Sequence, residues 1–369
     1  MNINIILIIL GVIVLALILF FIINKYTTKN KKNILAGYIR NPSNFMMNTS
    51  LQAIYDKHSI ISITNDIRAS KIIYMPSAYD LINYEISLMP KTKNNYYYII
   101  NEIDQLVGKD YLWDNLYKKL GNQALELSPA SYIPNDRISL RRLNEDYKDG
   151  KIYIAKKNIQ RQEGLQILDN KDKLFELMNS KDLAIIQELL QDPMTIDGHK
   201  INLRVYVLIV IFNNECSVYV YNDGFMYYTP KKFVTNSIEK DVNITTGYID
   251  RKIYEVNPLT HKDFRKYLDS DADRIHNNIL NLIKNVLKCY ADMFVKLQAF
   301  SGSVQYQIMG ADVAINEKGE AMIMEINKGP DLGGKDKRDS ELKCSLVEHM
   351  LEIVGILPMS DSNEFIKVL

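Results

Sequence analysis

The feature that most constrains this chain is an uncharged stretch near its beginning, residues 3–24, composed almost wholly of Ile, Leu, Val, Phe and Ala. A helix of this length extends about 33 Å, which matches the roughly 30 Å hydrocarbon core of a bilayer. A cleaved signal peptide would have a shorter apolar core, basic residues before it and a small-residue cleavage site after it. Bulky Phe20 and Phe21 lie near the end of the stretch instead. The sequence therefore predicts a single retained transmembrane helix.

Basic residues after this stretch set its predicted orientation. Four lysines occur between residues 25 and 32, whereas none precedes the stretch. Because basic flanks remain on the cytoplasmic side of a membrane, we expect a short N-terminus outside and the body of the protein in the cytoplasm. The predicted protein is single-pass, bound to the membrane through residues 3–24, and continues in a basic linker over residues 26–50.

The remaining chain has the composition of a folded globular protein. Hydrophobic residues make up 47% and charged residues 24% of the 369 residues, values that argue against bulk disorder. A net charge of +1 gives no overall attraction to nucleic acid, which we do not expect as a partner. The three cysteines are scattered without a C-x-x-C motif, which argues against a disulfide framework and a structural zinc site.

A predicted hairpin in the C-terminal part carries the strongest signal for chemistry. Residues 310–327 contain two apolar segments separated by a turn at 317–320. Glu325 and Asn327 are two positions apart, so they share one face of their strand, and the turn brings Asp312 opposite Glu325. Three converging oxygen ligands suit a hard cation such as Mg²⁺. The alternative is a half-exposed hairpin with ordinary polar residues on its outer face.

Two further segments place cations where anions could bind. Arg204 is the only charged residue of the apolar run 201–212, and a cation in a segment built for burial needs a counter-anion. That anion is either a structural carboxylate or a phosphate or carboxylate ligand. Lys156 ends a predicted strand and precedes a turn with Arg161 and Gly164, a pattern that can cover phosphates. A solvated basic loop is the alternative, because the segment lacks a Walker motif.

Local patterns also predict two elements beside these segments. The tripeptide Asn-Asp-Gly at residues 222–224 separates two apolar runs and predicts a hairpin turn. Apolar residues at helical spacing predict a helix within 97–120 that ends at Gly121. No internal repeat is visible in the sequence.

The order of the motifs resembles that of the tubulin–tyrosine ligase-like family, a branch of the ATP-grasp ligases. The segments that follow one another in the family's order are residues 108–113, residues 131–136, Lys156, Gln187, residues 200–204 and the hairpin with Asp312, Glu325 and Asn327. The first resembles the family's Lys-Asp-x-Leu segment, and the second resembles its tyrosine–aliphatic–proline entry to the ATP lobe. The resemblance covers roughly residues 75–335.

The resemblance implies a mixed fold of the α+β or α/β class, in which two ATP-grasp lobes bind ATP between them. An N-terminal α/β lobe comes before these two lobes in the sequence, and the predicted single transmembrane helix comes before all three. The expected divisions are an anchor over 1–25, a linker over 26–50, an N-terminal lobe over 51–125, a central ATP-grasp lobe over 126–195, a C-terminal ATP-grasp lobe with the metal hairpin over 196–358, and a tail over 359–369.

The resemblance also implies roles for individual residues. Lys156 and Arg161 would contact the phosphates of ATP, and Lys200 would lie near the nucleotide. Gln187 and the backbone from Glu188 to Leu190 would bind adenine. The expected catalytic and metal residues are Arg204, which would hold phosphate or an amino-acid carboxylate, Lys200, and the Mg²⁺ ligands Asp312, Glu325 and Asn327.

The implied reaction is ATP-dependent ligation of a free amino acid to a protein through an amide bond. A carboxylate attacks the γ-phosphoryl group of ATP, and an amine then displaces phosphate from the resulting acyl phosphate. Glutamate is favoured as the amino acid, with tyrosine or glycine as alternatives. The expected acceptor is tubulin or another protein with an acidic tail.

The chain departs from the family pattern near the expected substrate site. Asn202 stands where the family generally has aspartate, Tyr227 replaces a second substrate-contacting arginine, and Thr246 replaces the last residue of a His-Leu-Thr-Asn motif. Lys231 or Lys232 could supply a compensating cation. These departures leave an alternative function open, which is a weakly active or inactive pseudoenzyme that binds a nucleotide or a partner at a membrane.

Overall fold

A computed structural model describes residues 36–39, 46–63, 66–75, 82–157 and 164–369. The predicted transmembrane stretch, residues 3–24, lies outside these residues and stays a prediction. None of the helices among the described residues combines the length and apolar character that a bilayer span requires.

The described residues form both strands and α-helices. The strands are β1 (Ala36–Ile39), β2 (Ile61–Ile63), β3 (Ile72–Tyr74), β4 (Tyr96–Tyr97), β5 (Ser131–Tyr132), β6 (Tyr153–Lys156), β7 (Gln166–Leu168), β8 (Ile185–Glu188), β9 (Thr195–Ile196), β10 (His199–Phe212), β11 (Glu215–Tyr228), β12 (Val304–Ile315), β13 (Ala321–Asn327) and β14 (Phe365–Lys367). The α-helices are α1 (Met46–Lys57), α2 (Ile82–Leu88), α3 (Asp104–Val107), α4 (Lys109–Leu120), α5 (Arg137–Asp146), α6 (Lys171–Leu177), α7 (Lys240–Asn243), α8 (Ile253–Val256), α9 (His261–Leu268), α10 (Ala272–Lys288), α11 (Ala291–Lys296) and α12 (Lys337–Ile353).

The strands of the described residues form one large and one small sheet. The large sheet has ten strands in the order β14-β11-β10-β12-β4-β3-β1-β2, extended by β13 beside β12 and β9 beside β10. The small sheet has four strands in the order β5-β8-β6-β7, and it falls within residues 126–195, the range predicted for the central lobe. Strands from the predicted N-terminal and C-terminal lobes share the large sheet, because β4 pairs in parallel with β12.

Strand β10 is buried on both faces of the large sheet. Leu203 and Val205 belong to the core that includes Ile283 of α10, whereas Tyr206 and Leu208 belong to the core that includes residues of α12. Burial on both faces explains the nearly continuous apolar run in the sequence of this strand. The two helical layers also hold the strand firmly, so side chains that it presents at the site have fixed positions.

The hairpin turn predicted at residues 222–224 is wrong, because β11 continues through them. The chain reverses at Asn213 and Asn214 instead, where φ is 49° and 62°, as a two-residue hairpin turn requires. Gly224 lies at a register shift between β10 and β11, and a Cβ there would collide with the carbonyl oxygen of Arg204. The glycine therefore marks a bulge with close backbone approach, not a turn.

Other element boundaries also differ from the predictions. Residues 36–39 and 46–50, predicted to belong to a linker, are a strand and the start of helix α1. The helix predicted within 97–120 begins only at residue 104, and the fold interrupts it at Gly108 before it ends at Gly121 as predicted. The predicted tail includes β14, which pairs with β11 and so extends the large sheet.

Candidate active site

A row of charged side chains crosses three neighbouring strands of the large sheet. Arg204 on β10 lies opposite Asp312 on β12, and Asp312 lies opposite Glu325 on β13. The Arg204 guanidinium donates to both oxygens of Asp312, from Nε at 2.7 Å and from Nη2 at 3.1 Å. The predicted register of Asp312 and Glu325 is confirmed, and the Asp312 carboxylate is the counter-anion of Arg204.

Asn327 completes this cluster from the same face of β13. Its side-chain nitrogen donates to Asp312 Oδ2 at 3.3 Å and to Glu325 Oε1 at 3.4 Å. Gly310 leaves the space for the arrangement, since a Cβ there would lie 2.8 Å from Arg204 Cδ and 3.0 Å from Pro330 Cβ. The close approach of Arg204 to the backbone of β12 therefore depends on glycine.

Two lysines approach the cluster, one from helix α4 and one from the small sheet. Lys109, in the first turn of α4, places its ammonium 3.7 Å from Glu325 Oε2. Lys156, at the end of β6, donates to Gln187 Oε1 on β8 at 2.9 Å. The Gln187 amide donates in turn to Ser131 Oγ at 3.0 Å. The structure thus brings Lys156 and Gln187 into direct contact, although strand β7 and helix α6 lie between them in the sequence.

The pKa values of the Asp312 and Glu325 carboxyl groups are shifted in opposite directions. Burial raises the pKa of the Asp312 carboxyl, an effect that Arg204 opposes and the negative charge of Glu325 increases. Burial acts in the same direction on Glu325, but the positive charges of Lys109, Lys156 and Arg204 outweigh it and lower the pKa of this carboxyl. Glu325 is therefore the more firmly ionised member of the pair.

Two lysines beside the cluster are buried and crowded by positive charge. Burial lowers the pKa of Lys156, which Glu325 raises and Lys109 lowers further. Burial and the charge of Lys156 lower the pKa of Lys200 to about 8. A concentration of buried cations that lower one another's pKa favours binding of an anion with several charges, such as a polyphosphate.

A small cleft opens beside these residues, between strands β6 and β8 of the small sheet on one side and helix α4 and strand β13 on the other. Its lining combines charged and polar side chains with apolar ones, which are Lys109, Ser128, Lys156, Gln187, Leu112, Trp113, Ile185 and Met324. Such a mixed lining matches the chemistry of a nucleotide, which combines a flat base with charged phosphates.

Three other residues predicted to contact the nucleotide are Arg161, Glu188 and Leu190. Arg161 lies outside the described residues. Glu188 pairs with Lys151 at 2.6 Å, and its backbone amide donates to the Ala130 carbonyl oxygen. Leu190 is half-buried just beyond the end of β8. The binding roles of these three residues stay predictions.

Sequence patterns alone did not identify two charged residues of this region. Lys109 was visible only as part of a resembling motif, and its approach to Glu325 depends on how α4 packs against β13. Lys328 directly follows Asn327, and its side chain is 1% exposed and donates to Asp104 Oδ1 at 2.8 Å. This contact connects the end of β13 to α3. The only feature of the sequence that could have pointed to Lys328 is its position next to the predicted metal ligand Asn327.

Two of the three residues that depart from the expected family pattern lie on strands β10 and β11 near Arg204. The Arg204 guanidinium carbon is 5.3 Å from the centre of the Tyr227 ring, and burial raises the pKa of Tyr227 to about 12. Asn202 lies opposite Tyr227 in register, and its buried Oδ1 has no hydrogen-bond partner among the described residues. The Thr246 backbone amide donates to the carbonyl oxygen of Tyr228, the last residue of β11, at 3.0 Å.

The donor set of Asp312, Glu325 and Asn327 fits a hard cation. Two carboxylates face each other across the hairpin, and a half-turn of the Asn327 amide would add a third oxygen. Mg²⁺ usually takes one or two carboxylates and completes its shell with water and phosphate. Within the described residues, no group of three or more His, Cys, Asp and Glu side chains could hold a metal ion.

A comparison with known families decides the identity of this fold. The model of the tubulin-tyrosine ligase family matches residues 90–364, which include all the residues of the cluster and the cleft. The chain belongs to the tubulin-tyrosine ligase family. Its mixed α/β architecture, with two sheets around a cleft, is consistent with the ATP-grasp-like fold expected of a tubulin-tyrosine ligase family member.

Curated relatives of this tubulin-tyrosine ligase family member are distant. Tubulin polyglutamylase TTLL7 of Homo sapiens is 22% identical over 287 residues, which cover 68% of this chain and 31% of the relative. Probable tubulin polyglutamylase ttll-9 of Caenorhabditis elegans is 23% identical over 290 residues, 70% of this chain and 68% of the relative. Tubulin monoglutamylase TTLL4 of Mus musculus is 24% identical over 279 residues, 69% and 23% respectively. The matched region is thus about a third of the human relative's length.

Proposed function

We propose that this protein is an ATP-dependent ligase that adds glutamate to a protein acceptor. The relatives named above are a polyglutamylase, a probable polyglutamylase and a monoglutamylase of tubulin. Glutamate is therefore preferred to tyrosine or glycine, and tubulin or another acidic tail is the preferred acceptor. ATP and Mg²⁺ are the cofactors. Residues 3–24 anchor the enzyme in a membrane with its body in the cytoplasm.

The observation that carries this proposal is the meeting of opposite charges at one cleft. Asp312 and Glu325 form a pair of acidic groups suited to a cation, and Lys109 and Lys156 lie beside them. Both lysines act on the pKa of Glu325, so the acidic and basic groups are close neighbours. A magnesium nucleotide needs this combination, because it presents a cation and several phosphate charges together.

In the proposed reaction, the residues of the cleft bind and orient the reactants. Lys156, Lys200 and Arg161 bind phosphates, and Gln187 orients the base against the apolar wall. When bound, Mg²⁺ would neutralise phosphate charge through Asp312, Glu325 and Asn327. Arg204 has donors left over after its two bonds to Asp312, and these can hold a substrate carboxylate.

The bond changes follow ordinary ATP-dependent amide formation. An acceptor carboxylate attacks the γ-phosphorus, so a carboxyl–phosphate bond forms and ADP leaves. The amine of the incoming glutamate then attacks the acyl carbon, so the amide bond forms and phosphate leaves with one former carboxylate oxygen. The protein contributes positioning and charge neutralisation to both steps.

One observation favours the alternative of a binding module without activity. Arg204 engages both oxygens of Asp312, and the Asn327 amide donates to both carboxylates, so the cluster satisfies much of its own charge. A cluster of this kind can be a stable structural feature of the sheet. A pseudoenzyme that binds a nucleotide or a partner at a membrane is the second candidate.

Incorporation of labelled glutamate into tubulin by the full chain, with ATP and Mg²⁺, separates the two candidates. Glu325→Gln preserves volume and removes one charge, so we expect the rate to fall by about 10²-fold or more. Glu317→Gln changes an exposed carboxylate in the turn of the same hairpin and should leave the rate unchanged. A rate that is independent of ATP, or that survives Glu325→Gln, contradicts the proposal, and no incorporation by the wild type supports the pseudoenzyme.

A further inference from the structure

The guanidinium of Arg142 lies among three aromatic rings that belong to two different parts of the fold. Its central carbon is 3.7 Å from the centre of the Tyr117 ring and 5.3 Å from the centre of the Trp113 ring, both on helix α4. It is 5.4 Å from the centre of the Tyr132 ring, on strand β5 of the small sheet. These distances fall within the roughly 6 Å over which a cation is attracted to an aromatic face. Arg142, on helix α5, therefore connects α4 to the small sheet.

The rings around Arg142 are themselves held in place. Trp113 and Tyr117 are four residues apart on α4, and their rings stack with centres 5.6 Å apart. Trp113 and Tyr132 are 2% and 0% exposed, so both rings are packed on all sides. The Tyr132 hydroxyl donates at 3.1 Å to Oδ2 of Asp146, which follows Arg142 by four residues on the same helix. The guanidinium thus completes a contact whose other members have fixed positions.

Both sides of this contact border the candidate nucleotide cleft. Trp113 lines the cleft from α4, and Gln187 lines it from the small sheet. Tyr132 directly follows Ser131, whose hydroxyl accepts a hydrogen bond from the Gln187 amide at 3.0 Å. Among the residues that the structure describes, the lining includes Trp113 and Gln187 but not Arg142. Arg142 must therefore influence a ligand of the cleft through the two walls that it connects.

We propose that Arg142 is a positioning residue for nucleotide binding, which holds helix α4 and the small sheet at the separation that the cleft needs. This inference rests on the proposed function, because that function assigns the cleft to ATP. Without the guanidinium, the Trp113 and Tyr132 rings lose a partner that they share. We then expect Trp113 to change its orientation and the two walls of the cleft to move apart, which lowers the affinity for the nucleotide.

The shape of the guanidinium explains why arginine suits this position. A planar guanidinium stacks on aromatic faces, whereas a lysine ammonium is compact and strongly hydrated. A lysine at this position would keep the positive charge and lose the stacking. Arg142 is half-buried, whereas its neighbour Arg141 on the same helix is exposed. The two arginines therefore share a helix and a charge but differ in their surroundings, which makes Arg141 a matched control.

Trp113 is the only tryptophan of the chain, so tryptophan fluorescence reports on this contact directly. In the full chain, Arg142→Met should change the emission of Trp113. It should also weaken binding of a non-hydrolysable ATP analogue with Mg²⁺ by about three- to thirtyfold. Arg142→Lys should recover only part of that affinity, because an ammonium does not stack as a guanidinium does. Arg141→Met should keep the emission and the affinity of the wild type.

Unchanged nucleotide affinity in Arg142→Met would overturn the role of Arg142, and so would an equal loss in Arg141→Met. A loss of affinity with wild-type emission would also overturn it, because Trp113 would then take no part. If Arg142→Met does not fold, Tyr117→Leu removes the ring nearest to the guanidinium. That variant must then show the same change of emission and loss of affinity, or the inference fails.

The ligation assay distinguishes this inference from the proposed function. In Arg142→Met, the KM for ATP should rise while kcat changes little, because the residues that contact the reacting groups stay in place. If the wild type binds the nucleotide with the expected dependence on Arg142 but never ligates glutamate, the proposed function fails while the inference stands. If the wild type ligates glutamate and Arg142→Met binds the nucleotide normally, only the inference fails.

Discussion

A bound phosphate would change the protonation of Lys200. Burial and the neighbouring Lys156 lower its pKa to about 8 in the ligand-free protein, so its ammonium loses its proton at mildly alkaline pH. A phosphate placed beside it would favour the charged form and raise the pKa. Binding at pH values above about 8 therefore requires uptake of a proton, and affinity must fall as the pH rises.

We predict that the affinity for ATP decreases by about tenfold or more between pH 7 and pH 9.5, since one pKa unit corresponds to a tenfold change in equilibrium. Lys200→Met should bind ATP more weakly at pH 7 and show a flatter pH profile. Lys318→Met, at an exposed lysine in the hairpin turn, should keep the wild-type profile. Fluorescence titration with a labelled nucleotide measures this, and a flat wild-type profile would exclude the role of Lys200.

At the residue scale, the sequence could predict the acidic residues of the site but not all the lysines that lie beside them. The two-residue period of a strand was sufficient to align Glu325 and Asn327, and a short turn was sufficient to bring Asp312 opposite. The approaches of Lys109 to Glu325 and of Lys328 to Asp104 arise from packing between distant segments. Such contacts leave no local pattern, because neither residue lies at a special spacing from its partner.

At the scale of elements, the predicted transmembrane helix has a consequence that cell fractionation can measure directly. We predict that the full chain stays in the membrane fraction through high-salt and carbonate washes. Leu15→Lys places a charge at the centre of the span, which costs about 2.5–3.5 kcal/mol of insertion free energy, and should move part of the protein to the soluble fraction. Leu15→Ile keeps the apolar character and should not.

Fractionation followed by determination of the N-terminus measures this prediction. Recovery of the intact wild-type chain in the soluble fraction would show that residues 3–24 do not anchor it. A mature protein that begins after residue 20 would show instead that the stretch is a cleaved signal peptide.

The hairpins show which elements local patterns can and cannot predict. The hairpin from Gly310 to Asn327 is confirmed, because its turn and both apolar strands are contiguous in sequence. The turn predicted at residues 222–224 fails, because Asn-Asp-Gly is also suited to a bulge. Pairing of β11 with the long strand β10 selects the bulge over the turn. The two strands stay paired on both sides of the bulge, at Phe225 and at Val220.

At the scale of the whole molecule, the arrangement of sheets explains why distant motifs form one site. The small sheet contributes Lys156 and Gln187, and the large sheet contributes Arg204, Asp312 and Glu325. Their contributions meet only because the cleft lies between the sheets. The order of motifs in the sequence predicted this meeting through family resemblance, whereas the sharing of the large sheet by the N-terminal strands was not predicted.

The most direct test of the proposed ligase activity follows one oxygen atom through the reaction. An acceptor peptide with ¹⁸O in its carboxylates is incubated with the full chain, ATP, Mg²⁺ and glutamate, and the released phosphate is analysed by mass spectrometry. We predict one ¹⁸O in phosphate for each amide formed, and a fall of about 10²-fold or more in both products with Glu325→Gln. Amide formation without ¹⁸O in phosphate would contradict the acyl-phosphate route, and release of unlabelled phosphate without any amide would contradict the assignment of this cleft as a ligase site.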